Sequence, residues 1–499
     1  TLKKRKKLLR LLCRTDRTSV ITTEGHALQS DQPGKGSEPP TTQNVFSYAA
    51  QLDTQVSPNG FQEAFELGCC PPGPALSSHF LTCIRWSVMS VEDLTALVDS
   101  VVESHAEELW KLSRFLWEHP ELALQEVKAH DALCEFLEQR GFEVRRNYVL
   151  DTAFRAEFVA PGGADGPTVA LMAEYDALPG IGHACGHNLI AEASVGAALA
   201  AMEAMKRSPA ARGKLIVLGT PAEEICGGKE LLVQKGAFSD IDAALMAHPM
   251  RQDTLRLAVN AMQQMTVHFE GRATHAAASP WEGVNAMDAA VASYVNVSLL
   301  RQQLKPESRI HGIITESGSY PNIIPCSTKL AYSVRALTLD DLNELVFRVE
   351  GCFAAAAQAT GCTMTMEKDT VYKDVVHNLA LVKAYRKHGQ ALGVEFTDAD
   401  LSSMEPCGAS TDVGNVSYEV PTIHPMFGIR TDGMNHTPAF AEASNSAEAQ
   451  APTLRAAKTL ALTALDLFTD PALVSQAKAE FAEWKKARLQ QRGGKNQSP

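Results

Sequence analysis

The chain has 499 residues, 46 Lys+Arg against 58 Asp+Glu, and a formal net charge of -12. At about 100–200 residues per domain this length allows two to four domains with a large buried core. A hydrophobic content of 45% and a charged content of 21% are those of a soluble globular protein; no unbroken run of about 18 apolar residues offers a membrane-spanning helix, and the acidic balance argues against a dedicated nucleic-acid binder.

Residues 1–88 carry 10 Lys+Arg and 7 Asp+Glu, a net of +3, which leaves 36 against 51, a net of -15, for the rest. The basic run Lys3–Lys7 followed by Leu8 and Leu9 admits a nuclear signal or a membrane-touching helix. Gly, Pro, Ser and charge dominate from Asp31 to Pro40, and Cys69-Cys70-Pro71-Pro72-Gly73-Pro74 is equally punctuated. Such composition cannot bury a core, so 1–88 is expected to be a disordered or non-native extension. Leu94, Leu97, Val98, Val101, Leu109, Leu112 and Phe115 then recur at helical spacing over 91–118. Three apolar runs follow, Thr168–Ala173, Lys214–Gly219 and Ile241–Ala247, each ending in acids or a histidine. Continuous apolar runs separated by helical stretches, such as 189–205, predict buried strands of a mainly parallel sheet with flanking helices. Ligands in such folds sit beyond the carboxyl ends of the strands.

Residues 258–372 change rhythm. Met262–Phe269 alternates as a strand, Ala286–Leu304 is helical, Ile310–Glu316 and Lys329–Leu337 are strands, Leu342–Ala359 is helical and Thr363–Glu367 is a strand. That order is β-α-β-β-α-β, the ferredoxin-like unit. Helices at Leu379–Leu392 and Ala451–Leu467 resume the first pattern. The expected fold is therefore α/β, with a body over 89–257 and 373–470, an inserted unit over 258–372 and a C-terminal tail over 471–499.

Side chains suited to chemistry concentrate at the predicted strand ends. In His183-Ala184-Cys185-Gly186-His187-Asn188 a cysteine and a histidine stand two apart around a glycine that permits a tight turn; both are ligands for zinc or a similar ion. A structural helix N-terminus explains that motif equally well. Glu223 and Glu224 in Pro221-Ala222-Glu223-Glu224 form a costly buried pair unless a cation compensates them; a helix N-terminus also favours acids there. His248, before Pro249, ends the third strand, and His436 lies in the loop Gly433–Pro438. Asp176 is placed to orient a ligand histidine. Cys185, His187, Glu224, His248 and His436 suffice for a pair of metals with a bridge, leaving Glu223 as general base. Eleven cysteines without framework spacing fit a reducing, cytoplasmic setting.

Asp176-Ala177-Leu178-Pro179, the His183–His187 motif, the Glu223–Glu224 pair, His248-Pro249 and the late His436 together resemble the di-metal amidohydrolase/aminoacylase/carnosinase metallopeptidase family. Gly271-Arg272-Ala273-Thr274-His275 and Gly408-Ala409-Ser410-Thr411-Asp412 agree with it, over about Glu107 to Leu467. Ala184–Asn188 and Thr152–Glu157 are most similar to its β-alanyl-lysine dipeptidase group, and aminobenzoyl-glutamate hydrolases are similar around the same cysteine. The resemblance implies that Cys185, His187, Glu224, His248 and His436 hold two zinc ions, with manganese also accommodated, and that Glu223 is the base. It implies a homodimer through 258–372, which acts as a lid; His275 stabilises the oxyanion in the second protomer's site, and Asn322 and Arg335 hold the substrate carboxylate. Many relatives carry Asp where Asn188 stands, and the aminoacylase branch carries His where Glu174 stands.

The implied activity is hydrolysis of the amide bond of small dipeptides, β-alanyl or γ-aminobutyryl joined to a basic residue (β-alanyl-lysine, β-alanyl-ornithine), a clean-up of by-products of carnosine-type synthesis. Alternatives are an N-acyl amino acid or aminobenzoyl-glutamate-type amidohydrolase, a thiol hydrolase built on Cys185 and His187, and a catalytically weak binding homologue.

Overall fold

The chain divides into two units, Thr1–Leu76 and Ser77–Pro499. The computed structural model describes residues 91–208, 211–397 and 404–495, all in the second; the expectations for 1–88 lie outside the described residues.

Six strands make the main sheet, in the spatial order Glu143–Arg146, Phe154–Val159, Lys214–Gly219, Thr168–Ala173, Ala243–Leu245, Thr422–Ile423. The last four run parallel, and Phe154–Val159 pairs antiparallel with both of its neighbours, Lys214–Gly219 and Glu143–Arg146. The apolar runs behave as expected: Thr168–Ala173 is buried throughout, and burying each such Val, Leu or Met contributes about 1.5–3 kcal/mol. The third run is shorter than expected. Only Ala243–Leu245 is strand, because its pairing with Thr168–Ala173 spans Val169 to Leu171 alone.

Behind the sheet lies the helix His187–Arg207, buried almost to its end because its small residues let neighbours close in. A Cβ on Gly196 would stand 3.1 Å from Leu109 and 3.3 Å from Ala457, on two flanking helices. Those are Ala106–Glu118 and Ala447–Thr469. The helical stretch over 91–118 is two helices, Val91–Ser104 and Ala106–Glu118, parted at His105 where ψ rises to 1°.

Between Ala261 and Lys368 the element order is β-α-β-β-α-β, with the antiparallel sheet order Thr363–Lys368, Ala261–Glu270, Ser327–Ala336, Arg309–Glu316. Its own core gathers Met265, Val267, Phe269, Leu330, Val334, Val349 and Phe353. The first helix of this unit ends at Leu300, before the expected Leu304, in a 3-10 turn over Arg301–Gln303.

Residues 471–495, read above as a tail, form the helix Pro471–Lys495. Glu480 accepts from Leu379 N (2.5 Å) and Ala380 N (3.1 Å), Trp484 packs edge-on against Tyr418, and Arg488 pairs with Asp340 at 3.0 Å. Among the described residues no helix is long and apolar enough to cross a membrane.

Candidate metal centre

Parallel register puts three strand ends level. Ala173 faces Gly219, and Leu171 faces Leu245, so the segments carrying Glu174 and Asp176, Glu223 and Glu224, and His248 leave the sheet side by side. The helix His187–Arg207 begins there, and Gly186 turns the chain into it with φ +77. A Cβ on Gly186 would come within 2.6 Å of Pro249 Cγ, so only glycine lets the Cys185 turn approach the His248 strand. Two non-glycine residues here also have positive φ, Ala222 (+62) and His436 (+66). Backbone of this kind costs about 1–3 kcal/mol and persists where surroundings hold it. The Ala222 amide is held by Glu126 Oε1 at 2.9 Å, whose Oε2 takes the Thr152 hydroxyl at 2.7 Å. The His436 amide donates to Ala184 O at 2.8 Å.

Six of the anticipated residues converge. Ligand atoms of Cys185, His187 and His248, of Cys185, Glu224 and His436, and of His187, Glu223 and Glu224 form three groups, each within 4.8 Å. Cys185 Sγ lies 3.5 Å from His248 Nε2, and His436 Nε2 lies 3.4 Å from Glu224 Oε1. Two ligands bonded tetrahedrally to one zinc stand about 3.3–3.6 Å apart, so these spans suit a shared ion. Tautomers are set from behind. His187 Nδ1 donates to Asp176 Oδ1 (3.0 Å) and Asp176 O (2.9 Å), and His248 Nδ1 donates to Pro249 O (2.9 Å), which turns both Nε2 atoms inward. Asp176 Oδ2 also takes the Glu224 amide at 2.9 Å.

The electrostatics call for positive charge. Burial pushes the Glu223 carboxyl well above the usual range, and the neighbouring Glu224, Glu174 and Asp412 push it further. Glu224 is raised to about 7, by burial first and the Cys185 thiolate second. Against these stands the buried Lys229, whose ammonium bridges Glu174 Oε1 (2.5 Å) and Asp412 Oδ1 (2.8 Å). Burial opposes its charge, yet Asp412 and Glu174 hold its pKa above the ordinary lysine value. His187 Nε2 and Glu224 Oε1 are buried with no hydrogen-bond partner, a cost of about 1–3 kcal/mol each unless an ion takes their lone pairs. A thiolate, three imidazoles and carboxylates are the donor set of zinc, so the residues present fit a divalent metal. The His436 side chain is 53% exposed, which leaves that side open to solvent.

The remaining anticipated residues lie elsewhere. His275 and Asn322 are exposed on adjoining loops of the smaller unit, where Ala276 N donates to Asn322 O and His275 bridges to Ile323. Arg335 donates to Gly408 O and Ser410 Oγ, both at 3.1 Å. Among the described residues no hydrogen bond or ion pair joins these three side chains to the Cys/His/Glu cluster. Sequence reasoning missed Glu126, Lys229 and Tyr372, whose hydroxyl donates to Glu223 O at 2.6 Å. Lys229 left a signal, a cation directly after Gly227-Gly228 and the acid pair; Glu126 and Tyr372 left none.

A level row of strand ends that carries a Cys/His/Glu ligand cluster beside a buried carboxylate defines a metallohydrolase of peptide or amide bonds. The sequence pattern of peptidase family M20/M25/M40 matches residues 170–451, and the chain belongs to that family. It is 49% identical over 391 residues to a Xaa-Arg dipeptidase of Mus musculus, covering 76% of this chain and 90% of that one. It is 27% identical over 467 residues to a p-aminobenzoyl-glutamate hydrolase chain of Escherichia coli (strain K12), covering 79% and 96%. A dinuclear metal-binding M20 peptidase from Bacillus subtilis superposes with a TM-score of 0.56 at 20% identity, covering 73% of this chain and 99% of that one; at that identity the likeness is one of fold.

Proposed function

We propose that this chain is a metal-dependent dipeptidase for dipeptides with a C-terminal basic residue, β-alanyl- or γ-aminobutyryl-lysine and -ornithine among them, clearing by-products of carnosine-type synthesis in the cytoplasm. The observation that carries the catalytic part is the pair of ligand triads sharing Cys185, with Glu223 beside them. The basic residue rests on the 49% identity to a Xaa-Arg dipeptidase.

Cys185, His187, Glu224, His248 and His436 would hold the metal, zinc or manganese in one or two equivalents. Bound metal supplies Lewis-acid polarisation and lowers the pKa of water toward about 7. Glu223 takes the proton from the attacking water. It then passes that proton to the leaving amine. Asp176 holds His187 and the Glu224 amide in place. Residues 258–372 serve as lid and dimerisation unit over a body of 89–257 and 373–470. From the lid His275 meets the oxyanion of a second protomer, and Asn322 and Arg335 take the substrate carboxylate.

The test joins elemental analysis of the purified chain to an amine-release assay on β-alanyl dipeptides, N-acyl amino acids and aminobenzoyl-glutamate. Bound metal is expected, with fastest release from β-alanyl-lysine or β-alanyl-ornithine. Fastest release from aminobenzoyl-glutamate would favour the activity carried by the 27% identical relative. Glu223→Gln should keep the metal and lower kcat at least about 100-fold. Near-wild-type turnover in that variant, or no metal and no hydrolysis in the parent, sinks the proposal.

A further inference from the structure

The peptide that joins Glu223 to Glu224 has both of its polar atoms taken by side chains. Glu223 O accepts the Tyr372 hydroxyl at 2.6 Å. Glu224 N donates to Asp176 Oδ2 at 2.9 Å. A peptide unit is planar, and its carbonyl and amide point to opposite sides, so two such bonds fix its tilt. That tilt sets the directions in which the Glu223 and Glu224 side chains leave the backbone. The residue before is held as well. Ala222, at φ +62, gives its amide to Glu126 Oε1 (2.9 Å), and its carbonyl takes Gly228 N (3.0 Å).

Asp176, Glu126 and Gly228 belong to the body that carries the six-stranded sheet. Tyr372 does not: it lies on the segment that returns from the β-α-β-β-α-β unit, after the strand Thr363–Lys368. Its amide donates to Met262 O (2.9 Å), and its carbonyl accepts from Met262 N (2.8 Å). Met262 stands at the start of that unit's strand Ala261–Glu270, in register with Arg335. The outgoing and returning segments are therefore bonded to each other at the point from which the hydroxyl reaches Glu223. Gly227 shows how closely the returning segment lies on the acid-pair loop: a Cβ there would stand 2.8 Å from Thr370 Cγ2 and 3.4 Å from Tyr372 Cε2. Tyr372 is buried, so its bond to Glu223 O is shielded from water.

We propose that Tyr372 is a positioning residue for the hydrolysis: by holding Glu223 O, its hydroxyl aims the Glu223 carboxylate at the attacking water. Without that bond Glu224 keeps its own anchor at Asp176, and the Glu223 end of the peptide is the end set free. The proposal rests on the reading of Glu223 as the general base.

The test is steady-state kinetics of the metal-loaded, full-length enzyme on the substrate of the panel above that the wild type cleaves fastest. The proteins are wild type, Tyr372→Phe, Glu223→Gln and the double variant, each with its metal content measured. Tyr372→Phe removes one oxygen and keeps the ring. It is expected to lower kcat about 10–100-fold, the scale of a misplaced catalytic group, with KM and metal content unchanged. In the Glu223→Gln background the same change should cost nothing further, because no base remains to be aimed. A merely structural tyrosine would lower turnover by the same factor in both backgrounds, or lower metal content with kcat per bound metal unchanged; either result overturns the proposal. Should Tyr372→Phe not fold, a metal-loaded crystal structure of the wild type decides: a hydroxyl within about 2.5–3.0 Å of Glu223 O supports the role, and a hydroxyl turned to another partner overturns it. A wild type without hydrolysis, or normal turnover in Glu223→Gln, overturns this inference together with the reading of the base. Full activity in Tyr372→Phe beside a disabled Glu223→Gln overturns this inference alone.

Discussion

Glu192 lies inside the helix His187–Arg207, at 0% exposure among apolar residues. Burial carries its carboxyl from 4.5 to about 7. The sign of the effect follows from the unfolded chain, where the group returns to 4.5. Below 4.5 both states hold the proton and nothing is lost. Between 4.5 and about 7 the unfolded state ionises first, so stability falls as pH rises; above 7 the loss is complete and amounts to roughly 3 kcal/mol. Glu192→Gln keeps the shape and removes the titration. It is expected to match the parent at pH 4 and to melt several degrees higher at pH 8. Melting curves of the two proteins across that range decide it, and parallel curves would show that burial does not govern this group. Glu126 is another buried acid pushed up to about 7 by desolvation, but its Oε1 holds the strained Ala222 turn while Oε2 takes the Thr152 hydroxyl, so there a substitution disturbs the turn before Glu223 as well.

Elements were legible where burial is uniform or alternates strictly. Thr168–Ala173 and Lys214–Gly219 stand where their apolar runs placed them, because a strand covered on both faces needs apolar residues at every position. Glu143–Arg146 and Phe154–Val159 escaped because the sheet leaves apolar patterning at its antiparallel side. Arg155 there is buried yet paired with Asp240 at 2.6 Å and Glu157 at 3.2 Å, pairings that no local pattern announces. The ligand motifs were legible from residue type, since Cys, His and Glu at strand ends are chemically conspicuous. Lys229, Glu126 and Tyr372 were not, because each acts through a contact formed only on folding. The helix Pro471–Lys495 escaped for a related reason: its anchors form only on folding, with Leu473, Val474 and Ala477 at the core of the body and Glu480 capping the helix Leu379–Ala391 through two backbone amides. Glu480→Ala should therefore lower stability by about 0.5–2 kcal/mol, the usual cost of a lost cap. Denaturant titration reads it, and an unchanged midpoint would mean that water replaces the carboxylate without cost.

Over the whole molecule the β-α-β-β-α-β unit leaves an apolar surface without cover in the single chain. Val291, Tyr294, Val295 and Leu299 recur at helical spacing on Ala286–Leu300, all exposed, with Leu299 at 71%. The strand Arg309–Glu316 is an edge of its sheet, with Ile313 exposed at 63%. An open edge beside an apolar stripe is a template for association, which supports the proposed homodimer. The same arrangement explains why His275 and Asn322 make no contact with the ligand cluster of their own chain if their work is done in the other protomer. A twofold dimer then makes a specific demand. His275→Ala and Glu223→Gln are each expected to be nearly inactive alone. Mixed and allowed to exchange protomers, half of the dimers become hybrids, and each hybrid has one site with both residues intact. The mixture should recover about a quarter of parent activity. Leu299→Asp, which sets a charge in the stripe, should give a monomer by light scattering and abolish the recovery. No recovery from mixtures shown by mass to contain hybrids would place His275 in its own chain's site or in none.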